Sequence, residues 1–221
     1  MNEIDVTIGF NNTLVILSSD HGNSEIPEYM SSLGFQAGRL DARELIARGN
    51  ASLQKQFSPH RNYINAFWNP GFFLDSKTIA DLRLNAESVS SVLASEMNLI
   101  NGIALAVTRE DLMTGNLPDI PELNALRRSF HPKRSGDVLI IQSPFWHLYH
   151  DPNVYKAMHG SPYAYDNHVP IFLAGPGIPM GVIFRPVHVE SLAATVALFL
   201  GISPPSGSNP STLLEVFGHN R

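Results

Sequence analysis

The chain has 221 residues, of which 43% are hydrophobic and 16% charged, with a formal net charge of −5 and no cysteine. This is an ordinary globular composition, long enough for a sizeable core, and it excludes disulfides and thiolate metal sites, so any metal must be held by histidine and carboxylate. The charge is spread without a basic cluster, which leaves no electrostatic footprint for nucleic acid or an anionic membrane surface.

The first residues carry Glu3 and Asp5 where a secretory signal needs a basic start and an apolar run, and no later apolar stretch approaches the ~18 residues of a membrane span. As written, the chain is expected to be soluble and cytoplasmic. Apolar runs rich in β-branched residues predict buried strands over 13–18 (TLVILS), 102–108 (GIALAVT), 137–142 (DVLIIQ) and 169–174 (VPIFLA). Apolar residues at three- and four-residue spacing predict helices over 41–56, 86–100, 122–130 and 189–200, the last stopped by Gly201. Ser58-Pro59, Asn69-Pro70-Gly71 and Gly175-Pro176-Gly177 mark loops, with no linker between domains. The expected fold is therefore α/β, a sheet with helices on its faces, and 1–221 reads as a single domain.

The first predicted strand runs into Ser18-Ser19-Asp20-His21-Gly22, placing an acid and an imidazole at a strand end, where α/β folds carry their ligand sites. Neighbouring side chains on a strand point to opposite faces, so Asp20 and His21 can serve one metal only if the backbone leaves the strand there; Gly22 permits that. The plainer reading of Asp-His-Gly is a turn. A second stretch, 158–178 (MHGSPYAYDNHVPIFLAGPGI), is more specific: His159-Gly160, a short loop, a strand and a Gly-Pro-Gly exit.

Together, LSSDHG and MHGSPYAYDNHVPIFLAGPGI resemble the last two metal-binding motifs of the alkaline phosphatase superfamily, in its monomeric, broad-specificity branch. GIALAVTREDLMTGNLP, FHPKRSGDVLIIQ and LGISPPSGSNPSTLLEVF resemble the same branch in order and spacing. The resemblance implies an alkaline phosphatase-like sheet flanked by helices, of which these residues form the C-terminal half, an incomplete catalytic domain. It implies a zinc-dependent hydrolase of phosphate monoesters with two zinc ions. One activates a Thr or Ser nucleophile and the other stabilises the leaving oxygen.

Carried over by motif, Asp20 and His21 match ligands of the nucleophile-side zinc and His159 a ligand of the other. His168, in Asp166-Asn167-His168, is a candidate for orienting His159 or substrate, against a purely structural hydrogen-bonding role. The nucleophile, an earlier Asp ligand and an Asp-x-x-x-His pair precede the Asp-His motif in the family. The nineteen residues before Asp20 match none of them, so no catalytic residue is assigned and the chain by itself is expected to be inactive. A separate polypeptide carrying the other half is one expected partner. The alternatives are a phosphodiesterase or nucleotide pyrophosphatase of the same superfamily, or a noncatalytic remnant serving as a binding module. Intact family members are usually exported, in contrast to the cytoplasmic reading above.

Other candidates read more plainly. His147 and His150, three apart, are expected in an exposed loop, and Arg109 and Arg134, which could reach a phosphate, in surface ion pairs. Phe72-Phe73 is expected to pack in a core. Ser18, Ser19 and Ser161 lie beside candidate ligands, outside any Gly-x-Ser-x-Gly elbow.

Overall fold

The computed structural model describes residues 2–218. Its strands are β1 (Val15–Leu17), β2 (Gly38–Arg39), β3 (Ile64–Trp68), β4 (Gly71–Leu74), β5 (Ile103–Thr108), β6 (Val138–Gln142), β7 (Trp146–His147) and β8 (Phe172–Ala174). Its α-helices are α1 (Asn2–Thr7), α2 (Pro27–Ser32), α3 (Ala42–Gln56), α4 (Ser76–Asp81), α5 (Ala86–Met97), α6 (Arg109–Thr114), α7 (Pro121–Ser129), α8 (Ala164–Asn167) and α9 (Ser191–Leu200). All eight elements expected from periodicity are present; the short helices and the β3–β4 hairpin were not foreseen. Short pieces show too few repeats for a period to register. No helix among the described residues is long and apolar enough to cross a membrane.

The chain divides into two compact units. The central unit runs from Asn23 to Asn167, and the terminal unit combines the residues up to Gly22 with those from His168 onward.

The central unit is built on a four-stranded sheet in the order β3-β4-β6-β5, antiparallel at every pairing. Every residue of β6 is buried, and its side chains alternate between two cores. Val138 and Ile140 join Leu53, Phe72, Val89 and Leu93 under α3 and α5. Leu139 and Ile141 join Leu112, Leu123 and Leu126 under α6 and α7. The period of two thus sends one apolar run to both faces, producing the helix-flanked sheet that the sequence implied. Of the aromatic pair expected in a core, Phe72 is fully buried in the first one, while Phe73, on the opposite face of β4, is only half-buried and belongs to neither. At about 25 cal/mol per Å² of apolar surface, such large side chains dominate the stabilisation.

One irregularity in β5 keeps this alternation in phase. Ile103 pairs with Gln142 and Leu105 with Ile141, so Ala104 is an extra residue and is exposed. The bulge sends Ile103 to the first core and Leu105 to the second, where a regular strand would put both on one face. The free edge of β5 is covered by Asn98, whose side chain donates to Ala106 O (2.9 Å) and accepts from Ala106 N–H (2.8 Å).

In the same unit β2 and β7 pair in parallel, with Gly38 opposite Trp146 and Arg39 opposite His147. Arg39 donates to Glu28 (2.6 Å) and to the carbonyls of Tyr155 (2.9 Å) and Lys156 (3.0 Å), fastening the loop that leads to His159. Its hydrogen bond pulls the Glu28 carboxyl down to about 2. In the terminal unit β1 and β8 form an antiparallel ribbon, with Leu17 opposite Phe172. These two residues are 64% and 60% exposed, so this pair of expected buried strands presents apolar side chains to solvent.

Candidate functional site

β1 ends at Leu17, so Asp20 and His21 lie beyond the strand and its face-to-face alternation does not govern them. The departure comes ahead of the pair, earlier than the Gly22 expectation. Ser18 Oγ donates to Pro170 O (3.0 Å) and Ser19 Oγ to His21 O (2.6 Å), while His21 N–H donates to Asp20 Oδ1 (3.1 Å).

His21 Nδ1 lies 2.8 Å from Gly22 O. A carbonyl only accepts, so the proton of the neutral ring is on Nδ1 and Nε2 carries the lone pair. That Nε2 is 3.6 Å from Asp20 Oδ2. Two ligand atoms about 2.0–2.1 Å from one tetrahedral zinc stand about 3.3 Å apart, so the pair is spaced like neighbouring ligands of one cation. A hydrogen bond from its own backbone N–H, with a further one from His21 N–H, holds the Asp20 carboxyl below the usual carboxylate range, which keeps it anionic. A carboxylate beside an imidazole lone pair is a donor set that suits zinc.

His159 sits on an exposed stretch of the central unit between β7 and α8. Gly160 has φ +103°, a conformation that other residues rarely adopt. The loop is held on both sides of His159. Ser24 N–H donates to Met158 O (3.2 Å), and Ser161 N–H donates to Asp166 Oδ2 (2.7 Å). Tyr163 OH donates to Gln142 O (2.8 Å), and burial pushes its phenol up to about 12. His168 is exposed at the start of the returning terminal segment, outside any helix or strand.

The remaining candidates sort differently from expectation. His147 is not in an exposed loop: it pairs in β7 and is 2% exposed, because the strand turns its side chain inward. His150 is partly exposed beside Asp41 (3.7 Å) and Arg43 (3.2 Å). Arg109 pairs with Asp137 (3.3 Å) and donates to the carbonyls of Pro132 and Ser135, consistent with the ion-pair reading. Arg134 is exposed in the turn after α7. Sequence reasoning gave no role to Asp166, which is buried; its signal was the Tyr-Asp of the second motif, where a carboxylate five residues after Ser161 can close a turn onto that backbone N–H.

Among the described residues no group of three or more His, Cys, Asp or Glu is gathered to hold a metal. Asp20 and His21 are brought together in the terminal unit, and His159 belongs to the central unit.

No family model matches the chain. It is 28% identical over 218 residues to alkaline phosphatase PafA of Elizabethkingia meningoseptica, covering 98% of the chain and 39% of that protein. It is 24% identical to a calcium-transporting ATPase of Myroides odoratus (96% and 38% covered) and 25% identical to alkaline phosphatase PhoV of Synechococcus elongatus (94% and 36%). The crystal structure of wild-type PafA matches with a TM-score of 0.84 over 98% of the chain and 40% of its own. The fold is thus one shared with alkaline phosphatases. The homologues that cover the chain include the alkaline phosphatases PafA, PhoV and PhoD, and the chain matches that superfamily over about two fifths of those proteins' length.

Proposed function

We propose that these residues are the C-terminal part of a phosphatase-type hydrolase that cleaves phosphate monoesters with the help of two zinc ions. The observation that carries the reading is the Asp20–His21 pair, spaced for one cation at 3.6 Å, in a fold that matches PafA with a TM-score of 0.84. Asp20 and His21 hold the nucleophile-side zinc and His159 contributes to the other, with His168 as an orienting group. Both compact units belong to one catalytic domain. Bound zinc would supply charge stabilisation at the phosphoryl oxygens and an activated hydroxyl nucleophile.

The chain's own residues set ligand geometry. The Nδ1–H to Gly22 O bond selects the His21 tautomer with its lone pair on Nε2, and the bonds at Met158 and Ser161 fix the backbone around His159. The nucleophile and the remaining ligands come from a further segment, in the same polypeptide or a partner chain, which reads the substrate's phosphoryl oxygens. Catalysis needs all of these groups acting as a unit. The 221 residues by themselves are therefore expected to hydrolyse p-nitrophenyl phosphate at the background rate with zinc added, no faster than Asp20→Ala. Zinc-dependent turnover abolished by both Asp20→Ala and His159→Ala would overturn the division of the site between segments.

A further inference from the structure

The central unit buries several polar side chains around one small cavity. His147 and Asp166 are 2% and 3% exposed, and with Ser24, Tyr165 and Gln142 they line a cavity of about 10 Å³. One atom on each of the first two, His147 Nδ1 and Asp166 Oδ1, is fully buried and makes no hydrogen bond within the protein. Unpaired buried polar atoms carry their full desolvation penalty, which native folds rarely leave standing.

The surrounding bonds define what these two atoms are. Ser24 Oγ donates its proton to Glu25 O (2.8 Å), so towards His147 Nε2, 3.2 Å away, it accepts. Nε2 therefore carries the imidazole proton and Nδ1 presents a lone pair. Burial, reinforced by Arg39, holds the His147 pKa down to about 4, so the ring is neutral at neutral pH. Asp166 Oδ2 already accepts from Ser161 N–H, and Oδ1 is a second carboxylate acceptor. Two acceptors cannot bond to each other. Whatever satisfies both must bring two hydrogens, and about 10 Å³ is the size of a single-water cavity.

We propose that this cavity binds one ordered water molecule that donates one hydrogen to His147 Nδ1 and the other to Asp166 Oδ1. Tyr165, whose hydroxyl accepts from Phe145 N–H (3.3 Å), lines the same cavity. A metal ion could also accept two lone pairs, and His159 lines the same cavity, but among the described residues no three such groups are gathered closely enough to hold one. The water completes a chain from Ser24 through His147 and Asp166 to Ser161. Ser24 also holds Met158 O, so the chain clamps the backbone on both sides of His159. The inference concerns these atoms whether or not His159 binds a metal.

The test is a crystal structure of the 221-residue chain, grown once with a chelator and once with zinc. The expected result is one solvent peak within about 3.2 Å of both His147 Nδ1 and Asp166 Oδ1 in both crystals, without anomalous signal at the zinc edge. A zinc-edge peak about 2.0–2.2 Å from the two atoms would make this a cation site and overturn the proposal. Direct contact between Nδ1 and Oδ1 with no peak would overturn it equally. In solution, His147→Phe removes one acceptor, and amide exchange at Ser161 is expected to accelerate about tenfold or more, with amides of Val89 and Leu93 in α5 as the control for folding. An unchanged Ser161 rate in a folded variant refutes the clamp. Should the variant not fold, the crystal result alone decides.

Discussion

The Nε2 of His147 lies 3.2 Å from the hydroxyl of Ser24, so a histidine that is 2% exposed is held as a neutral donor inside the central unit. Burial first, then the Arg39 guanidinium, lower its pKa from 6.5 to about 4, against the opposing pull of Glu28 and Asp166. The folded-state pKa is below the unfolded one, so the unfolded chain binds the proton first as pH falls. Stability is then lost between about pH 6.5 and 4, by up to ~3 kcal/mol. Urea unfolding at the two ends of that window should show the loss in wild type and less of it in His147→Gln, which carries no titrating ring. Equal pH dependence in the two proteins would count against the assignment.

Zinc binding is expected to depend on Asp20 and His21 as a pair. Since the loss of an outer partner alone typically costs ~10–100-fold in metal affinity, Asp20→Ala and His21→Ala should each cost at least that much. Titration calorimetry on the purified variants reads the effect directly. Affinities equal to wild type would remove both residues from the ligand set.

Gly102→Ala is expected to destabilise the central unit strongly. Gly102 has φ +95°, and a Cβ there would lie 2.2 Å from the Trp146 ring, so the substitution meets both backbone strain and overlap with a side chain of β7. A loss of about 2–4 kcal/mol is expected, and the double variant with Trp146→Leu should recover the part due to overlap while the strain remains. Full additivity in the double-mutant cycle would show that the two sites do not touch.

Asn98→Ala should expose how the edge of β5 is protected. The substitution leaves Ala106 N–H and C=O without the Asn98 side chain, for an expected cost of about 1–3 kcal/mol and faster exchange of the Ala106 amide. Protection equal to wild type at Ala106 would show that the edge is covered by something else.

Leu17 and Phe172, opposite one another on the β1–β8 ribbon, predict self-association of the isolated chain. Light scattering and an apolar dye should both respond, and Leu17→Lys with Phe172→Lys should reduce both signals. A wild-type monomer that binds no dye would contradict this.

The sequence by itself determined the main strands and helices, because each is long or apolar enough for its period to show. It also determined that Asp20 and His21 stand at a strand end and that His159-Gly160 opens a loop, since these are properties of neighbouring residues. The strand directions were beyond it: the alternation of strands and helices is compatible with either sense, and where the connecting helices pack decides it. Nor could it reveal the burial of His147, three residues from an exposed His150 and in a strand only two residues long. That burial exists because β7 pairs with β2, a partner more than a hundred positions away, and only tertiary structure supplies that pairing. The same holds for Asp166 and Ser24. Whether a polar atom meets water, a backbone group or a sealed cavity depends on what packs around it, and sequence spacing carries no record of that.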